Sequence, residues 1–288
     1  MATLRAYPNG LTVHVGGTGT HTRAKRGTIT GWSAAAVRRH TRWLYSIDAP
    51  GLTGEGFAIT LTLRDCPPSP EAWTALRRAW IERARRLGAV RWHWVVEWQR
   101  RGTPHLHAAV YFPVGTDARV GHALLAHWLA AAAPYSPGWG SQTVKPIAGS
   151  LGWLQYLSKH AARGVKHYQR TGKPAGWETT GRLWGHGGDW PELEPLEVQL
   201  TTAQFHRFRR LARSWRVADA RAAGLRGEGW QRLRYSRRML RTSDVALSRY
   251  RGVSEWIPEA VAVRLLDVVS SRSLTGGPTA DESRVRAA

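Results

Sequence analysis

The stretch VRWHWVVEWQRRGTPHLHAAVYF, residues 90–112, decides the fold. Its halves, Val90–Trp98 and His105–Phe112, are rich in Val, Trp, Tyr and Phe, side chains that suit a pleated, half-buried surface. QRRGTP joins them, and Gly102 marks a tight link between two strands. The stretch reads as a β-hairpin. With Arg100-Arg101-Gly102 as the turn, Gln99 faces Thr103 and Glu97 faces His105. A turn of even length would put Trp98 there instead, because a one-residue slip exchanges the two sheet faces. Gly102 in third place suits the three-residue turn that closes with a left-handed bulge.

Before the hairpin, Trp32–Ile47 reads as a basic amphipathic helix and Phe57–Leu63 (FAITLTL) as a strand. Pro70–Leu87 has apolar residues at helical spacing, with Gly88 to end it. After the hairpin come a helix near Ala118–Ala132, a short strand near Gln142–Ile147 and a helix near Ser150–Ala162. Glu197–Thr201 offers a possible fifth strand, and Thr201 or Thr202 caps a basic helix that follows. A further helix spans Pro258–Val269. The order β-α-β-β-α-β-α predicts an α+β fold, a central antiparallel sheet with helices on one side, plus a basic C-terminal helical region. The expected organisation is a weakly ordered segment 1–31, a catalytic-type domain 32–201, a basic helical region 202–269 and a disordered tail 270–288.

His105-Leu106-His107 is the sharpest chemical feature. In a strand, residues two apart share a face, so both imidazoles project side by side, as two ligands of one ion would. A histidine pair is also often structural. Glu97 in the odd-turn register adds a carboxylate, and two imidazoles plus a carboxylate with open positions suit Mg²⁺ or Mn²⁺ acting on a phosphate. The plain alternative for Glu97 is an ion pair with an arginine. Further on, Tyr156 and Lys159 lie one helical turn apart in GSLGWLQYLSKHAARG. A tyrosine can attack phosphorus and a neighbouring lysine can stabilise the charge; a core tyrosine with a snorkelling lysine would look the same.

The composition limits the partner. The chain has 288 residues, 42% hydrophobic and 22% charged, which fits a globular protein of about two domains and excludes a wholly disordered or fibrous one. Against 42 Lys and Arg stand 20 Asp and Glu, a formal charge of +22. That surplus calls for a polyanion, nucleic acid first. Only five of the basic residues are lysines (Lys25, Lys145, Lys159, Lys166, Lys173), and arginine forks phosphate and stacks on bases, although GC-rich coding also inflates arginine. Sixteen tryptophans exceed what a core needs, and some could stack on unpaired bases. The single Cys66 allows no internal disulfide and no cysteine zinc site, and fits a reducing compartment. The longest apolar run, Ala123–Pro134, is too short to span a bilayer, and MATLRAYPNGLTV lacks the apolar stretch of a signal peptide. A cytoplasmic protein is expected.

Three of these stretches together resemble the motifs of the HUH endonuclease superfamily, in the form of the rolling-circle replication initiators of bacterial plasmids and filamentous phages. FAITLTL resembles the first motif, VEWQRRGTPHLHAAVYF the second, metal-binding one, and YLSKH the third, Tyr-x-x-Lys, in the family's order. The resemblance covers about residues 32–200. It implies an RRM/ferredoxin-like fold and a metal held by His105, His107 and Glu97. It also implies Tyr156 as nucleophile with Lys159 beside it, and nicking of single-stranded or cruciform origin DNA through a 5′-phosphotyrosyl bond that leaves a 3′-OH. His160 stands where many relatives have a second aromatic. No Walker A stretch occurs, so no nucleotide cofactor is expected and a host helicase, with a host polymerase, would serve the product.

Lesser expectations concern DNA contact. Lys166 and Tyr168 around HYQR, and Arg182 and Trp184 in GRLWG, read as a DNA-contacting edge or as turn and core packing. Arg207 and Arg210, on a helix with Arg209, Arg213, Phe205, Phe208 and Leu211, read as a DNA-binding face or a solvated one. A single-tyrosine transposase of the same superfamily, a relaxase and a non-enzymatic DNA-binding regulator are the competing functions. Relaxases usually carry the tyrosine before the histidines, which disfavours them here.

Overall fold

The computed structural model describes residues 1–15, 27–148, 168–222, 230 and 254–271. In chain order the elements are β1 (Ala2–Tyr7), β2 (Gly10–Val15), α1 (Ala34–Ser46), β3 (Glu55–Thr62), α2 (Pro70–Arg86), β4 (Arg91–Trp98) and β5 (Pro104–Phe112). They continue with α3 (Arg119–Ala131), β6 (Thr143–Pro146), α4 (Tyr168–Thr171), β7 (Trp184–Gly188), β8 (Leu196–Leu200), α5 (Thr202–Ala222), β9 (Ser254–Glu255) and α6 (Glu259–Ser271). The chain forms two compact units, Thr22–Glu192 and Met1–His21 with Leu193–Ala288. Among the described residues no helix is long and apolar enough to cross a membrane. The expected helix near Ser150–Ala162, most of the basic region beyond 222 and the tail from 272 lie outside the described residues.

In the unit Thr22–Glu192 the sheet order is β6-β3-β5-β4-β7, antiparallel throughout. Strand alternation gives it two chemically different faces. One carries Phe57, Ile59, Leu61, Leu106, Ala108, Val110 and Phe112, all buried. There α2 and α3 close the core with Trp73, Trp80 and Trp128, whose ring nitrogens partly find backbone partners: Trp80 Nε1 donates to Leu124 O at 3.0 Å and Trp128 Nε1 to Thr62 O at 3.3 Å. The caps match the sequence signals. Ser69 accepts from Ala72 N ahead of Pro70, and Gly88 adopts φ +93 just past the end of α2.

The opposite face takes α1. His40 Nε2 lies 3.0 Å from His93 Nε2, and Trp43 stacks on both His93 and His186. Helices therefore cover both faces, where the element order suggests one side only. The reason is tryptophan on both faces of β4 and β7, which leaves neither face polar enough for water. The fifth strand also differs from expectation: it is β7, from the GRLWG region, while Leu196–Leu200 joins the other unit. The glycines of WGHGG make β7 possible as a neighbour of β4. A Cβ on Gly185 would stand 2.7 Å from the Trp94 ring, and one on Gly187 2.6 Å from Trp92. Gly185→Ala is expected to lower stability by about 1–3 kcal/mol through overpacking against that ring, measurable by urea denaturation; an unchanged midpoint would mean that Trp94 has room to move.

In the other unit, residues 2–15 form a hairpin rather than the weakly ordered segment expected for 1–31. Pro8-Asn9 make the turn, Tyr7 pairs with Gly10, and Leu4, Ala6, Leu11 and Val13 point into a core. A two-stranded hairpin is marginal alone. It persists here because β8 pairs with β1 from Ala2↔Leu200 to Ala6↔Leu196, and because Phe205, Phe208, Ile257 and Leu266 cover it. Thr201 caps α5 in a reciprocal box with Gln204, with 3.2 and 2.9 Å bonds. The unit boundary thus falls between Glu192 and Leu193, not at 201/202, and the basic helices share a core with the N-terminal hairpin.

Candidate active site

The hairpin turn has the odd length. Gln99 N donates to Thr103 O at 2.9 Å, Gly102 N donates to Gln99 O at 2.9 Å, and Gly102 takes φ +87. Glu97 consequently pairs with His105 and Val95 with His107, while Thr62 and Thr60 of β3 flank the histidines from the other side. Glu97, His105, His107, Thr60 and Thr62 share one face. Glu97 is fully buried and His107 nearly so.

The local geometry is specific. Glu97 Oε2 lies 3.6 Å from His107 Nε2, and the His105 and His107 ring centroids are 4.4 Å apart at 69°. His107 Nδ1 meets Thr60 Oγ1 at 3.2 Å, and His105 Nδ1 meets Gln99 Nε2 at 3.4 Å. When His107 donates its Nδ1 proton to the threonine, the Nε2 lone pair faces the carboxylate. Two lone-pair donors separated by more than a hydrogen bond and close enough to share one ion are what a metal site asks for. In donor chemistry the residues fit a hard divalent cation. Among the described residues no three His, Cys, Asp or Glu side chains are gathered around one point as they stand.

Four residues along β4, roughly 13 Å, the same face carries a second cluster of His40, His93, Trp43, Trp184 and His186. Glu192 anchors its rim, accepting from Trp43 Nε1 at 2.9 Å, with His186 Nδ1 4.0 Å away. Burial lowers the His186 pKa below the ordinary 6.5, partly offset by Glu192. The unfolded chain then binds the proton more readily than the folded one. Stability is expected to be complete above about pH 6.5 and to decline as pH falls through the lowered pKa. An imidazole titration by NMR beside acid melts checks this; a His186 pKa at or above 6.5 contradicts it.

The remaining expected site residues divide. Tyr156, Lys159 and Lys166 lie outside the described residues. Tyr168 is 45% exposed, with the Arg100 guanidinium 5.5 Å from its ring. Trp184 is half-buried against His40 at 4.8 Å, so packing accounts for it. Arg182 is exposed. Near it Arg77 stacks 3.6 Å over Trp94, and burial, then Arg78 and Arg182, push the Arg77 pKa down to about 10. In the other unit Arg207 donates to Val269 O at 3.4 Å, and Arg210 is exposed. Burial and then Arg213 and Arg210 lower the Arg209 pKa, the mark of crowded positive charge. The Thr60 and Gln99 contacts were not anticipated from sequence. Their signal is register: Thr60 lies opposite His107, and Gln99 lies two residues beyond Glu97 on the same face.

A family model described as replication-associated protein ORF2 matches residues 56–162, a span that includes Glu97, His105, His107, Tyr156 and Lys159. A Xylella fastidiosa (strain 9a5c) protein whose name provisionally assigns it to replication is 50% identical over 83% of this chain and 85% of its own length. A second such protein, from strain Temecula1, is 48% identical over 82% of this chain and 91% of its own. A replication-associated protein of Pseudomonas phage Pf3 is 43% identical over 87% of this chain and 89% of its own. No solved structure matches.

Proposed function

Because the chain belongs to the ORF2 family of replication-associated proteins, we propose that it initiates rolling-circle replication by nicking origin DNA with a tyrosine. The observation that carries this reading is the hairpin register, which sets a buried carboxylate opposite one of two imidazoles on a shared sheet face. Glu97, His105 and His107 are the residues that would hold a divalent metal, Mg²⁺ or Mn²⁺, with the His105 ring turning from Gln99 to complete the set. Such an ion, when bound, draws charge from a phosphate oxygen. Thr60 holds the His107 ring in orientation.

The nucleophile is Tyr156. Its phenol oxygen forms a bond to the phosphorus, the bond from phosphorus to the 3′ oxygen breaks, and that oxygen takes up a proton. The products are a 5′-phosphotyrosyl protein and a free 3′-OH for a polymerase. One ester replaces another, so no nucleotide is consumed, and the same step in reverse rejoins a strand. Lys159, a turn away on a helix, favours the phenolate. Strand unwinding falls to a host helicase. In the other unit, the arginines of α5, Arg210 foremost, neutralise backbone phosphates and anchor the protein on the origin.

Incubation of the full chain with single-stranded origin DNA and Mn²⁺, followed by a denaturing gel, tests the reading. A protein band slowed by covalent DNA is the expected result, and absence of that band with both strands of the origin overturns it.

A further inference from the structure

The sheet corner that carries Glu97, His105 and His107 is bordered by an exposed tryptophan. Trp139 stands on the short 3-10 turn Trp139–Ser141 and is 59% exposed, whereas Trp73, Trp80, Trp98 and Trp128 are fully buried. The turn is firmly held. Beyond Thr60↔Thr143, the last pair of β3 and β6, the Gln142 carboxamide replaces a strand peptide: its Oε1 accepts from Thr62 N at 2.8 Å and its Nε2 donates to Thr62 O at 3.1 Å. The same Nε2 reaches Gly138 O at 2.8 Å. Ser141 Oγ donates to Gly138 O at 2.7 Å, and the Thr62 hydroxyl lies 2.9 Å from that Oγ and 3.0 Å from Ser141 O. Thr62 is the residue directly opposite His105. Both ends of the Trp139 turn are therefore tied to the neighbour of His105.

The surroundings say what could lie on the indole. At this end of the sheet the hairpin turn supplies Arg100 and Arg101, and Arg101 bonds Leu63 O and Thr103 Oγ1 (the latter at 3.0 Å), tying that turn to the end of β3. Asp65 N donates to Tyr135 O at 3.1 Å, joining the same segment to the loop that leads to Trp139. A large aromatic face held rigidly beside cationic side chains, in a chain of charge +22, suits a flat, electron-rich ring on an anionic strand. Rigidity matters because stacking on a pre-placed ring loses little conformational freedom.

We propose that Trp139 is a stacking platform for an unpaired nucleobase of single-stranded DNA, next to the phosphodiester that the Glu97–His105–His107 corner acts on. The proposal rests on the nicking reading for its substrate and adds the group that seats one base of it. Stacking of this kind accepts any base, so Trp139 contributes affinity and placement rather than sequence choice.

The test compares two probes on the full chain: oligothymidylate and an abasic strand of equal length, both fluorescently labelled, with binding followed by anisotropy. The two carry the same phosphates and differ only in bases. Trp139→Ala is expected to weaken oligothymidylate binding by roughly 5- to 100-fold and to leave the abasic strand unchanged, with Trp139→Phe keeping most of the affinity. Equal weakening on both strands, or none on either, overturns the proposal; the second result is what a protein-docking role for Trp139 would produce. A thermal melt confirms that the variants fold. Binding is read without cleavage, so the two readings fail separately. Trp139-dependent affinity with no covalent adduct from the parent protein would sink the nicking reading alone. A normal adduct with parental oligothymidylate affinity in Trp139→Ala would sink this one alone.

Discussion

Tyr156→Phe is expected to form no covalent adduct with single-stranded origin DNA while binding that DNA like the parent protein. The variant keeps the ring and its packing and lacks only the attacking oxygen. Affinity comes mainly from phosphate neutralisation by arginine and lysine, none of which the substitution touches. The phenol has an ordinary pKa near 10, so at neutral pH its proton must be removed as the bond to phosphorus forms. Lys159→Ala is therefore expected to slow adduct formation without abolishing it. The measurement is a denaturing gel with labelled DNA, then mass spectrometry of the linked peptide. An adduct from Tyr156→Phe, linked through Tyr168 or Tyr135, would remove the Tyr-x-x-Lys assignment.

Glu97→Gln is expected to separate function from folding. The Glu97 carboxylate is fully buried, and a charge taken out of water is costly unless its partners compensate. His107 Nε2 faces it from 3.6 Å. Glutamine has nearly the same shape and no charge, so the metal-free variant is expected to be as stable as the parent or more so. A residue that serves the fold alone would behave in the opposite way. Nicking is expected to fall by at least about a hundredfold, the scale seen when a preorganised electrostatic contact is lost. Mn²⁺ supplies an independent readout. A ligand that binds only the folded state stabilises it by about 2.7 kcal/mol at a hundredfold excess over its dissociation constant. The parent melt should rise with Mn²⁺ and the Glu97→Gln melt should not. Equal rises in both would remove Glu97 from the ligand set.

Much of the candidate site was legible because it is local. Glu97 and His105 are eight positions apart on one hairpin, and the glycine at 102 sets the length of the turn between them. Turn length fixes register, and register fixes which side chains share a face. Thr60, Thr62 and the Gln142 carboxamide were not legible, since their roles depend on which strands lie beside β5 and β3. Strand neighbours follow from three-dimensional packing, and nothing near FAITLTL in the sequence names them. Trp139 was hidden for a related reason. An exposed tryptophan among sixteen is distinguishable only when burial is known.

The same division runs through the fold. Period-2 alternation, helical spacing and caps at Ser69 and Thr201 placed β3, β4, β5, α2, α3 and α5 within a few residues of where they stand, because each signal is carried by neighbours in the chain. Three features required the tertiary structure. One is α1 on the histidine face, decided by which side of β4 and β7 has room for Trp43. A second is β7 as fifth strand, decided by whether glycines at 185 and 187 can lie beneath Trp94 and Trp92. The third is the N-terminal hairpin, whose Ala2 pairs with Leu200 across almost the length of the described chain. Two short strands cannot bury enough apolar surface to hold themselves together. Residues 2–15 are ordered by β8 and by the apolar stripe of α5, partners that arrive from the far end of the sequence.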